Sequence, residues 1–372
     1  MADPRYEKLA DVLVNYSCAL KPDEVCLIEA FDIPDAFTRS LIRTISAAGG
    51  VPLVSLRSNA VMRDLMLAGT EEQMRLIGDV DAYRMSKVQA YIGVRGNPNI
   101  SEWSDVPAEK MRLYQSLWWQ PAHRDLRVEK TRWVVLRWPS PSMAQQAEMS
   151  TEEFEDFYFR VCTMDYARMS RAMQPLKQLM DRTDKVRLVA PGTDLRFSIK
   201  DIPAVTCDGG RNIPDGEVFT SPVRDSVQGT IRFNAETIYQ GVTHRDIRLT
   251  FRDGRVVEAE SSDTRHLESV LDTDEGARYI GEFAIGFNPH VTQPMKDILF
   301  DEKIAGSIHF TPGNAYKSAD NGNKSDIHWD MVLLMAAEDG GGEIYFDDRL
   351  IRRDGRFVIP ELEDLNPERL VD

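Results

Sequence analysis

The chain has 372 residues, long enough for two domains, and its 42% hydrophobic and 28% charged residues are ordinary for a soluble globular protein. Acidic residues outnumber basic ones 60 to 45, a formal net charge of −15; this field repels nucleic acid and anionic membrane, which excludes both as partners, and favours cations such as metal ions or a peptide's free amino terminus. No run approaches the roughly 18 apolar residues of a membrane span, the start Met1-Ala2-Asp3-Pro4-Arg5-Tyr6 lacks an apolar signal segment, and Cys18, Cys26, Cys162 and Cys207 show no CxxC spacing, so a cytoplasmic protein with reduced, mostly buried thiols is expected.

In chain order, Tyr6, Leu9, Leu13 and Tyr16 fall at helical spacing, and Lys21-Pro22-Asp23-Glu24 makes a turn. Val25-Cys26-Leu27-Ile28 reads as a strand buried on both faces. Phe37, Leu41, Ile42 and Ile45 restore the helical period up to Gly49-Gly50, and Val51–Leu56 is the next strand, with Pro52 placing its first residues outside the ladder. Short turns joining strand, helix and strand predict a parallel βαβ unit. The pattern continues with a helix near 71–87, a strand at Ala90–Val94, a helix around 108–119, a strand at Trp133–Leu136 and one long helix over roughly 150–182. No GxGxxG or GxxxxGK[ST] follows any strand, so this α/β domain reads as a scaffold or one wall of a cleft.

The texture changes after Asp184, and a domain boundary is expected near 185, giving domains 1–185 and 186–372. Hairpins are predicted at Val186–Val189 with Leu195–Ile199, at Ile247–Phe251 with Val256–Ala259, and at Ile344–Ile351 with Arg356–Ile359. With a helix near 264–271, the second half is mainly antiparallel.

Unusual sequence concentrates in three places there. In Asn212-Ile213-Pro214-Asp215-Gly216-Glu217 a Pro-Asp-Gly turn delivers Glu217 to the mouth of a strand. Glu282 stands alone in the small and apolar run Gly281–Gly286, where a carboxylate must be paired, protonated or bound to a cation. His328 and Asp330 share a face of an extended segment, forming a half-site for a divalent transition metal, and His309 offers a second imidazole. Each feature alone is also what a surface turn or an ordinary strand would show. His123, His244 and His266 read as structural or surface histidines, and His290 as a loop residue near the site. No HExxH helix and no nucleophile setting around a Ser or Cys is present.

Together the run Asn212–Pro222, the segment Gly281–Asn288 and the series His309, Tyr316, His328-Trp329-Asp330 resemble the thermophilic metalloaminopeptidase family, peptidase family M29, which includes aminopeptidases T, S and PepS. Leu13–Ser17 and Lys21–Ala30 extend the resemblance over nearly the whole chain. It implies metal ligands at Glu217, Glu282, His309, Tyr316, His328 and Asp330, two divalent ions (zinc, cobalt or manganese), and hydrolysis of the N-terminal peptide bond of peptides with a free N-terminus. A homodimer is an open expectation, and no separate general base is identified. Two departures, Asp215 in the turn and Trp329 where relatives carry a smaller residue, bear on substrate preference. A related branch resembles ring-cleaving dihydroxypyridine dioxygenases with one iron, whose two-His, one-carboxylate set could be met by His309, His328 and Asp330. A non-catalytic metal-binding homologue is the third alternative.

Overall fold

The computed structural model describes residues 3–371. The chain divides into two compact units, one of Met1–Thr163 with Gly209–Ile213 and the other of Met164–Asp208 with Pro214–Asp372. The change of texture at 185 thus falls where the second unit's first helix gives way to its first strand.

The first unit is built on a parallel sheet. Its strands are β1 (Val25–Phe31), β2 (Val51–Arg57), β3 (Ala90–Arg95) and β4 (Arg132–Arg137), in the order β2-β1-β3-β4, with the two-residue strand Asn212–Ile213 beside β4. Residues 26–30 of β1 and 90–94 of β3 are buried without alternation, because helices cover both faces. Pro52 pairs in register with Cys26, so the ladder begins one turn of sequence earlier than its ring suggested; β2 is an edge strand and needs no donor on its outer side. The expected helix at 71–87 spans Glu71–Met85, where the Thr70 hydroxyl accepts from Gln73 N and Glu71 and Glu72 favour the first turn. After Ala108–Leu113 the helix continues as a π-wound stretch, Tyr114–Val128, which accommodates Pro121.

The long helix expected over 150–182 is two helices, Thr151–Cys162 and Tyr166–Arg182. The Thr163 hydroxyl donates back to Phe159 O at 2.7 Å, and Asp165 starts the second helix by accepting from Arg168 N at 2.8 Å. An apolar period continues through this break, which is why the pattern alone does not reveal it.

The second unit holds two large antiparallel sheets and a two-stranded ribbon, Thr237–Tyr239 with Val242–His244. The larger has eight strands and contains all three predicted hairpins. The third is a meander of Glu343–Phe346, Arg349–Arg353 and Arg356–Phe357; its extra turn is made by Asp347 and Asp348, both at positive φ, where a glycine or asparagine would have advertised it. The smaller sheet runs Met331–Leu334, Ser307–Pro312, Ile280–Gly286, Glu217–Thr220, Val205–Cys207. The sheets share an aromatic core: Phe197 of the larger lies 5.0 Å from Phe283 and 5.2 Å from Phe310 of the smaller, centroid to centroid. Cys18, Cys26 and Cys162 are buried and all four cysteines are free. Among the described residues, no helix is long and apolar enough to cross a membrane.

Phe283 is fully buried between the sheets. Phe283→Ala is expected to cost about 3–5 kcal/mol, because the cavity adds to the lost transfer energy. A urea midpoint unchanged from wild type would show that the two sheets do not depend on this ring.

Candidate metal centre

Strand alternation decides where the charged groups go. On Ile280–Gly286 and Ser307–Pro312, Phe283 and Phe310 turn to the aromatic core, so Glu282, Ala284, His309 and Thr311 turn to the opposite face. Register then brings partners together: Glu282 pairs with Thr311, Ala284 with both His309 and Phe219, and Gly286 with Glu217. The small residues Ala284 and Gly286 leave room above the sheet for the charged side chains beside them.

Glu217 begins its strand straight after a tight turn. Gly216 has φ +139°, and a Cβ there would lie 2.9 Å from Asn288 Cβ, so only glycine fits. Asn288 closes the turn by donating from Nδ2 to Asp215 O at 2.7 Å, and Phe287 N donates to Gly216 O at 3.0 Å. The sequence run Pro214-Asp215-Gly216 does place a carboxylate at the mouth of a strand.

Five of the six expected ligands converge. His309 Nδ1 lies 3.4 Å from Glu217 Oε2 and its Nε2 lies 3.1 Å from Glu282 Oε1. His328 Nε2 lies 3.4 Å from Glu282 Oε2 and 3.2 Å from Asp330 Oδ1. Candidate ligand atoms within 4.8 Å of one another form three groups: Cys207, Asp215 and Glu217; Glu217, Glu302 and His309; and Glu282, His328 and Asp330. His328 is oriented by its other nitrogen, with Nδ1 2.9 Å from Asn314 O, which turns Nε2 to the carboxylates. Thr311 donates to Asp330 Oδ1 at 2.6 Å. The sixth, Tyr316, packs its ring 4.7 Å from His328 and 5.8 Å from Phe219 and is 48% exposed.

The buried polar atoms Glu217 Oε2, Glu282 Oε2 and His309 Nδ1 have no hydrogen-bond partner. Three such orphans in one cluster are unusual, since buried polar groups are nearly always satisfied. Carboxylates and imidazoles are the donor set of a divalent transition ion, so these residues fit one. Without it, protons take the cation's part. Burial opposes charge on His309, but Glu217 and the hydrogen bond to Glu282 hold its pKa up at about 10. His328 is likewise held well above its usual value, burial being outweighed by Asp330 and Glu282. Burial would raise Asp330 and Glu282, yet the imidazoles keep both carboxyls below the ordinary range. Burial and the nearby Glu282 and Asp330 push the Tyr316 phenol up against His328, so it becomes a ligand only beside a cation.

Sequence reasoning missed the residues that surround this set. Lys303 is 1% exposed, and its Nζ lies 2.5 Å from Glu217 Oε1, 2.8 Å from Glu302 Oε1 and 3.3 Å from Asp215 Oδ1. Burial pushes Glu302 up to about 8, Lys303 opposing and Glu217 assisting. Asp301-Glu302-Lys303 reads as a charged surface turn; the one contrary signal is its position between Leu299-Phe300 and Ile304. His244 and His266 form a stacked pair, Nε2 to Nδ1 2.9 Å, with His244 packed edge-on 5.1 Å from Trp329, and His290 N donates to Asn288 Oδ1.

A family model, thermophilic metalloprotease (M29), matches residues 2–357. Among curated relatives, aminopeptidase T of Thermus thermophilus is 33% identical over 197 residues, 45% of this chain and 48% of that protein. Aminopeptidase PepS of Streptococcus thermophilus is 23% identical over 88% of this chain and 91% of its own length. The match thus spans about half the length of the first of these relatives and most of the second. In fold, the chain is similar to the solved structure of AmpT from Thermus thermophilus (TM-score 0.77, 23% identity, 95% of this chain and 99% of that one). It is also similar, more distantly, to 2,5-dihydroxypyridine dioxygenase from Pseudomonas putida KT2440 (TM-score 0.62, 13% identity, 96% and 98%).

Lys303→Met leaves three carboxylates without their ammonium. A loss of about 3–5 kcal/mol is expected in chelator-treated protein, as when one partner of a buried ion pair is removed. A divalent ion should restore much of it, read as a larger rise in melting temperature on adding zinc than wild type shows. An unchanged melting temperature in chelator would show that Lys303 does not neutralise the cluster.

Proposed function

The chain belongs to the thermophilic metalloprotease (M29) family, and on that premise we propose that it is a metal-dependent aminopeptidase hydrolysing the N-terminal bond of peptides. The observation that carries this reading is the pair of adjacent ligand groups, Glu217, Glu302 and His309 beside Glu282, His328 and Asp330, with three buried orphan atoms among them. Five of these residues and Tyr316 are the ligand set we assign, with zinc, cobalt or manganese as the two ions. Glu302 is an addition to that set. The ions would supply an activated water and a Lewis acid for the scissile carbonyl.

The chain's own residues prepare the site. Lys303 engages Glu217 Oε1 and leaves Oε2 free, Thr311 fixes Asp330, and Asn314 O fixes the tautomer and aim of His328. The excess of carboxylates over fixed cations attracts the protonated amine that distinguishes a peptide's N-terminus. The half-exposed Tyr316 ring stands beside His328 at the accessible side of the site.

The dioxygenase reading draws on one iron held by His309, His328 and Asp330. The two histidines fall into different ligand groups here, each with two carboxylates, which favours two ions over one facial triad.

His328→Ala and Asp330→Ala are expected to lower turnover of aminoacyl chromogenic substrates roughly 100-fold or more and to reduce metal content. Wild-type turnover in His328→Ala with metal retained would overturn the ligand assignment. Tyr316→Phe keeps the ring and removes one oxygen; a large fall in hydrolysis is expected, with melting in chelator unchanged. Oxygen uptake with iron and a dihydroxypyridine, and no hydrolysis with zinc, cobalt or manganese, would transfer the site to the dioxygenase class. Metal binding without either turnover would mark a non-catalytic homologue.

A further inference from the structure

The first unit, expected from its lack of a phosphate loop to be a scaffold, contains a cavity of about 640 Å³. Its floor is set by the parallel sheet: Phe31, Arg95 and Arg137, the last residues of β1, β3 and β4, all line it. In the order β2-β1-β3-β4 the chain leaves β1 to one side and returns to the other, so the topological switch point lies between β1 and β3. Crevices at the carboxyl ends of strands beside that point are where open parallel sheets bind ligands.

The lining is chemically selective. Arg95, Arg124 and Arg137 bring three guanidinium groups to the cavity in a chain whose net charge is −15, and Glu102 is the single carboxylate in the lining. Arg95 and Arg124 make no side-chain ion pair or hydrogen bond among the described residues. Two other arginines of this unit behave differently: Arg57 is paired with Glu29 and Asp81, at 2.9 and 2.6 Å, and Arg84 with Asp81 at 2.7 Å. The walls carry Trp103, Tyr114 and Trp119.

His123 supplies an independent observation. It is 8% exposed, lines the cavity, and its buried Nδ1 has no hydrogen-bond partner, while Nε2 lies 3.7 Å from Glu29 Oε2. Trp119 stacks on this ring at 5.7 Å with an interplanar angle of 22°. Glu29 is itself occupied by Arg57 and by the Tyr91 hydroxyl at 2.7 Å. Burial holds the His123 imidazole down at about 4, the Glu29 charge notwithstanding, so the ring is neutral at pH 7. The cavity wall at His123 is therefore a neutral, ring-stacked imidazole and not a further cation, and its buried Nδ1 lacks a protein partner.

We propose that this cavity binds a small anion carried on a planar ring, a phosphate ester or a carboxylate, with Arg95 and Arg124 engaging the anionic group and Trp103, Tyr114 and Trp119 flanking the ring. Guanidinium forks match both anions bidentately, and aromatic walls add stacking that inorganic anions cannot use. The site lies wholly in the first unit and stands independently of the metal centre and its proposed activity.

The test is calorimetric titration of the full-length, chelator-treated protein with phenyl phosphate and with N-acetyltryptophan, against inorganic phosphate and indole. At least one ring-bearing anion should bind tenfold or more tightly than either half alone, and the tighter of the two identifies the phosphate or the carboxylate source. Arg95→Gln and Trp119→Leu, checked for wild-type circular dichroism, should each weaken binding at least tenfold, whereas Glu282→Gln should leave it unchanged. No binding of either ring-bearing anion at millimolar concentration overturns the proposal. So does wild-type affinity in Arg95→Gln, or loss of binding in Glu282→Gln, which would move the ligand to the metal centre.

Discussion

Negative charge gathered on one face of a small sheet is the constraint from which the second unit's design follows. Asp215, Glu217, Glu282 and Glu302 are at least largely buried, with Asp330 beside them, and a single lysine and two imidazoles stand against five carboxyl groups. Such a cluster is tolerated only where every oxygen has a cation, a proton or a donor. Lys303 answers for three of the acids and Thr311 for one oxygen of Asp330, and charge on His309 and His328 offsets the remainder while Glu217 Oε2 and Glu282 Oε2 keep no hydrogen-bond partner. The opposite face makes no such demand. There Phe283 and Phe310 meet Phe197 in an apolar core that anchors the sheet whatever happens above it.

How much of this could be read from sequence depends on the range of the signal. Local signals were reliable. The Pro-Asp-Gly turn announces Glu217, and the apolar run around Glu282 marks a buried carboxylate, because strand alternation and turn chemistry act over a few residues. The hairpins at Pro191-Gly192 and Asp253-Gly254 are legible for the same reason. The Asp347-Asp348 turn is not, since its positive φ values are taken by residues that only tolerate them.

Long-range neutralisation left no such trace. Lys303 is separated from Glu217 by 86 residues, and only the apolar Leu299-Phe300 and Ile304 around it set a buried ammonium apart from a surface one. The same holds for Arg95 and Arg137, which look like ordinary strand-end arginines until the sheet order sets them at one crevice. Helix breaks were hidden by a different route: the apolar period runs on past Thr163, while the break is made by one hydroxyl and one carboxylate bonding to backbone.

The backbone register that assembles the candidate metal centre also fixes its width. Glu217, Glu282 and His309 are held by ladder pairs on three adjacent strands, and Gly216 leaves the turn before Glu217 no alternative path. A cage of that kind cannot expand or contract to suit its occupant, as the loop-borne sites of calcium proteins do. Ionic radius and coordination taste then become selection criteria written into the strand pairing. A large ion seeking six to eight oxygens would meet imidazole nitrogens at two positions. Discrimination among the ions of a cell would therefore reside in the sheet's hydrogen bonds as much as in the side chains that touch the metal.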